Sequence, residues 1–482
     1  MRHAKGITNI FIIIFLFVLC CQSCTPGQDA TNFNKFLNQD TLVKGKAGIL
    51  ITALGQPENY DYTFFDHYLN LIFNAAFPWY LKFIIMRDGG SVLRDPENLF
   101  AQEKFEPKTL MDCFGKIKNS KGVPYTELDV KWVKPRKGSD GGHFLWEQKN
   151  GYVDIAEKTA IKVAASYYSR MPDKKIPYMK QHEAIFDDLK KLMAKSYPET
   201  PIRTASAMYP ETIENAINEL IKENVETIVV CDLFPVYSNL EEFNSLFIEI
   251  DHLVAERAKV IYAPSIGAFT SFRSAFVQMA RDEITKISSN SKKLFVLTRH
   301  GFPEMPGEPY HKLAPAYYDN LQREVATALQ GTGTDVVFAD TEFAGEDDDP
   351  DNKRLSSSEA LTMGLEKKYD YIVFILVDFL SENTDTVYCA REEALEPIGF
   401  EYGGKVPYSD FSVPFRTELS KGSTRIIIAG TPVGPKYRPL VAQGIYDALS
   451  TILQGKEWPQ LISKKGSISK YTCNTQPPFF NV

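Results

Sequence analysis

The chain has 482 residues, 44% of them apolar and 24% charged, with a net charge of −7. That is the composition of a soluble globular protein long enough for two or three domains. No basic stripe is present to neutralise phosphates, so nucleic acid is not an expected partner.

Residues 1–24 form a separate segment. Arg2, His3 and Lys5 precede the wholly apolar run Ile10–Cys20. Eleven helical residues make about 16 Å, roughly half of a ~30 Å hydrocarbon core. That length fits the apolar core of a signal peptide better than a membrane span. Cys21-Gln22-Ser23-Cys24-Thr25-Pro26 follows. Cys24, preceded by the small Ser23, is the expected lipidated residue of an exported lipoprotein, with Cys21 as the alternative. An uncleaved N-terminal anchor is the rival reading. Either one places the protein in the cell envelope, on the periplasmic or outer surface, held to the membrane by lipid or anchor. Cys113, Cys231, Cys389 and Cys473 are scattered without a CxxC, which gives no zinc site and no dense disulfide framework and leaves room for one disulfide in an oxidising compartment.

Residues 25–45 are polar and read as a tether. Beyond them, short apolar runs bounded by Gly and Pro predict buried parallel strands. They are Ala47–Ile51, Ile228–Leu233, Leu294–Leu297, Val336–Ala339, Tyr371–Phe379 and Arg425–Ala429. Amphipathic helices are predicted between them, at Glu211–Asn224, Phe269–Ile287, Ala316–Leu329 and Ser356–Lys367. Strands alternating with helices mean an α/β protein, and the long helix at 269–287 divides it into two similar doubly wound, Rossmann-like halves with a cleft between them. The first half is expected over 46–268 and the second over 269–455, with a tail at 456–482. Residues 95–200 fit the alternation less well and read as an insertion. Within it, Gly151–Tyr168 and His182–Lys195 look helical, Lys131–His143 reads as a basic loop, and His143 and His182 are expected at the surface. Glu346–Asp351 reads as a solvated acidic loop.

The segment with the most chemical content is Leu294–Lys312. Its apolar run stops at Arg299-His300-Gly301, with Pro303 and Gly307-Glu308-Pro309-Tyr310 close behind. In open α/β sheets the carboxyl ends of the strands are where ligands bind, so His300 stands at the functional edge. Asp378, just before Phe379–Tyr388, and Glu382 within it offer carboxylates for metal or proton relay, and Asp385 is a third acid of the segment. The alternative is that Ser381, Glu382 and Asp385 cap a helix N-terminus.

Five segments in order resemble the ferrochelatase family, whose enzymes insert a divalent metal into a porphyrin. They are Gly48–Pro57, Ala207–Tyr209 with the following helix and Ile228–Ser238, Arg299–Tyr310, Phe379–Tyr388, and Gly430–Leu449. The resemblance covers residues 47–455 apart from the insertion. It implies that His300 faces the pyrrole nitrogens, as metal ligand or proton acceptor, with Asp385 in place of the family's Glu and Glu382 as a further metal ligand. Imidazole suits both tasks, and metallation needs a base because two protons leave the ring. The implied partners are a porphyrin or other tetrapyrrole and a divalent metal. The metal, Fe2+, is substrate, and no tightly bound cofactor is expected. Arg299 would either bind a propionate or pair with an acid. Phe302, Tyr237 and Tyr60 are candidates to touch the macrocycle. Arg299 and Ala339-Asp340-Thr341-Glu342 both depart from the family pattern, as does the shorter Asp385. A tetrapyrrole-binding lipoprotein without catalysis and a chelatase of the sirohydrochlorin type are therefore competing readings. The triplet Arg-His-Gly alone also occurs in histidine phosphatases, a reading that leaves the other four segments unexplained.

Overall fold

The computed structural model describes residues 40–60, 174–206, 210–236, 253–301, 310–341, 355–400 and 416–456, together with short pieces at 92–94, 129–132, 143–147, 167–168, 171 and 250. The signal and tether up to residue 39, the acidic run 346–351 and the tail beyond 456 lie outside the described residues.

Twelve strands are described. β1 is Ala47–Ala53; β2, β3 and β4 are Val92–Arg94, Asp129–Trp132 and His143–Glu147; β5, β6 and β7 are Ile202–Ser206, Thr227–Asp232 and Lys259–Tyr262. β8 to β12 are Lys293–His300, Thr334–Thr341, Tyr371–Leu376, Thr417–Lys421 and Thr424–Ile428. The helices are α1 Tyr178–Ser196, α2 Pro210–Lys222, α3 Thr270–Thr285, α4 Tyr310–Ala328, α5 Ser357–Glu366, α6 Ala390–Leu395 and α7 Arg438–Leu453.

The predicted α/β architecture is present as two main sheets. The first has the order β5-β1-β6-β7, every pair parallel. The second has the order β11-β12-β10-β8-β9, parallel except for the edge strand β11. The apolar runs became strands because both of their faces are covered. In the second sheet successive residues point to opposite faces. Phe295, Leu297, Val373 and Ile375 enter the main core, while Leu294, Val296, Ile372 and Phe374 enter a second core beneath α5. Each fully buried side chain of this kind contributes about 1.5–3 kcal/mol. A reciprocal pair between Ser356 and Glu359 fixes the start of α5.

Two boundaries differ from the sequence reading. α1 lies in the stretch read as insertion, yet Ile185, Leu189 and Met193 on it belong to the main core. The insertion is therefore shorter at its carboxyl side; among the described residues β3 and β4 within it, and β2 just before it, form an antiparallel sheet of order β2-β4-β3. α7, placed by sequence in the second half, packs back against α1. Arg438 pairs with Asp188 at 2.6 Å, and the hydroxyls of Tyr446 and Tyr197 reach Ser196 and Ser450 at 2.8 Å. The crossing of α7 over α3 depends on Gly444, where a Cβ would stand 2.7 Å from Phe272 Cα. No helix among the described residues is long and apolar enough to cross a membrane.

Candidate functional site

The carboxyl ends of both sheets meet at one seam. β8 delivers Arg299 and His300 to it, β9 Asp340, β10 the segment Val377–Ser381, β1 the turn Leu54–Pro57, and β6 Asp232 to Phe234. A cavity of about 30 Å³ lies there, lined among others by His182, Asp232, Phe234, Asp378, Phe379 and Ser381. It draws on both halves and on α1.

Neighbouring residues of a strand face opposite ways, which separates Arg299 from His300. In register, Arg299 stands opposite Asp340 of β9. Its guanidinium bonds both oxygens of that carboxylate, Nε to Oδ1 and Nη2 to Oδ2 at 3.0 Å. It also lies over the Tyr318 ring, 4.4 Å from the centroid. Both charges are buried. Of the two sequence readings for Arg299, the structure shows the acid pair. The two departures from the family pattern at Arg299 and Asp340 are one ion pair.

His300 is held from three sides. Its backbone N–H donates to Asp378 Oδ2 at 2.9 Å, its ring meets Phe379 edge-on at 5.7 Å, and its Nδ1 lies 2.5 Å from the carbonyl oxygen of Gly301. A carbonyl only accepts, so Nδ1 carries the proton and Nε2 keeps its lone pair. This is the tautomer needed to ligate a metal or to take a proton. Asp378 also accepts from the Tyr318 hydroxyl at 2.8 and 2.9 Å. Tyr317 beside it donates to Val377 O, and burial first, then the Asp378 charge, holds its phenol well above its usual pKa, so it stays a donor.

The acidic segment forms a π-helical turn, Asp385–Cys389, continuing into α6. Glu382 ahead of it has no exposed surface. Its carboxylate accepts from Thr431 N–H and Oγ1 at 3.0 and 3.1 Å, from Thr386 Oγ1 at 2.8 Å and from Arg391 Nη1 at 3.3 Å. A carboxylate so enclosed is a brace, and the metal-ligand reading of Glu382 is corrected accordingly. The capping reading also changes residue. Asn383 Oδ1 accepts from Thr386 N–H at 2.8 Å, while Thr386 Oγ1 accepts from Asn383 N–H at 2.9 Å. Capping thus falls to Asn383 and Thr386, not to Ser381, Glu382 or Asp385. Asp385 opens the turn and is partly exposed.

Tyr60 packs edge-on against Tyr168 at 5.8 Å, and the Tyr168 hydroxyl donates to Pro57 O. Phe302, Tyr237, Cys21 and Cys24 lie outside the described residues.

His182 was read as a surface residue and is not one. It lines the cavity, stacks on Tyr178 at 4.3 Å, and buries its Nδ1. Burial lowers its pKa from 6.5 to about 4, so the ring is neutral at physiological pH. Helical spacing carried the signal: 178, 182, 185 and 189 share one face. Thr52 Oγ1, Gln181 Nε2, Ser381 Oγ and Asn383 Nδ2 are also buried without a protein partner at this seam. Such atoms favour a water or ligand atom beside them. Among the described residues no group of three or more His, Cys, Asp or Glu side chains is arranged to hold a metal.

Residues 146–347 match the ferrochelatase family model. Ferrochelatases of Escherichia coli strains SMS-3-5 and IAI1 are both 22% identical, over 212 and 211 residues, which is 42% and 41% of this chain. The chain spans 61% and 60% of the length of these two relatives. Among solved structures, a periplasmic binding ribose operon repressor protein from Lactobacillus acidophilus aligns at 12% identity with a TM-score of 0.25, covering 57% of this chain and 87% of that one. So low a score bears on neither fold nor function. The matched stretch contains α1, the first sheet's β5 to β7 and the whole of β8 with His300. Over residues 146–347 the chain is similar to the ferrochelatase family.

Proposed function

We propose that the protein inserts a divalent metal, Fe2+ in the first instance, into a tetrapyrrole of the porphyrin class. The observation that carries the reading is the fixed tautomer of His300. Gly301 O accepts from Nδ1–H, so in the neutral ring the lone pair is on Nε2, at the carboxyl edge of β8 and within the stretch that matches the family. A metal substrate approaching a pyrrole nitrogen needs such a ligand, and each leaving proton needs an acceptor. Asp385 is the second group, one methylene shorter than the Glu of the family pattern. Asp378 holds the His300 backbone and is a positioning residue.

The N-terminal segment supports a place in the cell envelope, with Cys24 lipidated. A mass shift on Cys24 and recovery of the protein in the membrane fraction would bear this out; an unmodified Cys24 in the soluble fraction would end it.

The test of the reaction is the visible spectrum of a free-base porphyrin with Zn2+, Fe2+ or Co2+ and the full chain. Conversion to the metalloporphyrin spectrum supports the reading. A spectral shift on binding that never proceeds to metallation would make the protein a tetrapyrrole carrier instead, and no change of either kind would rule out both.

A further inference from the structure

Two glutamines of the first half grip the acid-bearing turn of the second. Gln56, in the turn after β1, uses both ends of its amide on one residue: Oε1 accepts from Thr384 N–H at 3.1 Å, and Nε2 donates to Thr384 Oγ1 at 3.2 Å. Gln181 of α1 accepts from Glu382 N–H through Oε1 at 2.7 Å. Both glutamines are nearly fully buried, 4% and 5% exposed. Their own supports are local. Gly55 sits at φ +90°, a conformation suited to glycine, and its N–H donates to the Tyr178 hydroxyl at 3.3 Å, joining the Gln56 turn to α1. The grip therefore comes from one rigid unit and closes on backbone groups that flank Asp385. Within the second half the same turn is braced by Glu382 on Thr431 and Arg391.

We propose that Gln56 and Gln181 are positioning residues that set the place of Asp385 relative to His300, so that the first half, which carries neither group, fixes the distance between them. This rests on the chelatase reading. The carboxylate is one methylene short, so its reach depends on where the clamped turn stands. Without the clamp, a displacement of about 1 Å is enough to lose on the order of 100-fold in rate.

The experiment uses the full chain with Zn2+ and a free-base porphyrin. Gln56→Leu and Gln181→Leu keep volume and remove the amide. Each is expected to lower kcat about 10- to 100-fold with the porphyrin KM within twofold, and Gln56→Glu, which keeps the acceptor for Thr384 N–H, to recover part of the loss. The decisive comparison is the background Asp385→Ala. There the Gln56→Leu loss should vanish, because the group it positions is gone. An equal loss in both backgrounds would overturn the proposal. Amide hydrogen exchange, which needs no activity, reports the clamp itself: Gln56→Leu should raise exchange at Thr384 and leave β8 protected. Unchanged exchange at Thr384 would also overturn it. A wild-type protein without metallation would defeat the chelatase reading and the positioning role together, while exchange would still show whether the clamp exists.

Discussion

The two sheets present their carboxyl ends to the same seam with different materials. The second sheet brings charge: Arg299, His300, Asp340 and Asp378 stand within its strand ends, and the acidic turn follows. The first sheet brings chiefly walls and amides, Leu54, Phe234 and Gln56 beside the carboxylate of Asp232, with His182 and Gln181 added by α1. Two similar folds thus divide the work, one holding the reactive groups and the other enclosing and aligning them. The charged side is stable because its charges are paired, Arg299 with Asp340 and Arg391 with Glu382.

The largest effect that separates bracing from chemistry is expected at Glu382. Glu382→Leu removes the buried carboxylate that Arg391, Thr386 and Thr431 share, so the protein should lose about 3 kcal/mol or more of unfolding free energy, read by denaturant titration. A variant of unchanged stability that loses metallation would return Glu382 to the metal.

Arg299→Met takes the bidentate guanidinium from the buried Asp340 and should cost about 3 kcal/mol, part of it recovered in Arg299→Met/Asp340→Asn. Porphyrin affinity measured by fluorescence quenching should stay within a few-fold. A selective loss of porphyrin affinity would restore the propionate role.

His182 marks the enclosing side. Its folded pKa of about 4 lies below the unfolded 6.5, so the unfolded chain binds the extra proton between these values. Stability is therefore full above about pH 6.5 and falls as the pH drops toward 4, by roughly 2–3 kcal/mol from this group. His182→Phe should flatten that part of the profile, and an unchanged slope would show that the ring is accessible to protons in the folded state. At the crossing of α3 and α7, Gly444→Ala forces a Cβ onto the Phe272 backbone and should cost about 1–3 kcal/mol by thermal melting, with the spectrum of bound porphyrin unaltered.

How much of this was legible follows from where the information sits. Strands covered on both faces announce themselves as apolar runs, and β1, β6, β8, β10 and β12 were readable for that reason, while the edge strand β9 was readable from its unbroken run Val336–Ala339. β5, with Arg203 and Thr204, and β7 are edge strands whose faces are half covered, so their apolar runs are broken. His300 at a strand end was readable because the apolar run stops there. The partner of Arg299 was not, since it depends on the register of β8 against β9. Glu382 looks like any acid near a helix start until Thr431 and Arg391 close around it. The Gln56 and Gln181 contacts span 328 and 201 residues, and nothing local records them.

The central claim is that His300 Nε2 performs the proton or metal transfer, and the measurement that meets it most directly is the rate of zinc insertion by wild type and by His300→Ala at matched porphyrin saturation. The account predicts metallation by wild type, a loss of about 100-fold or more in the variant, and porphyrin binding retained in both. Equal rates in the two proteins would contradict it.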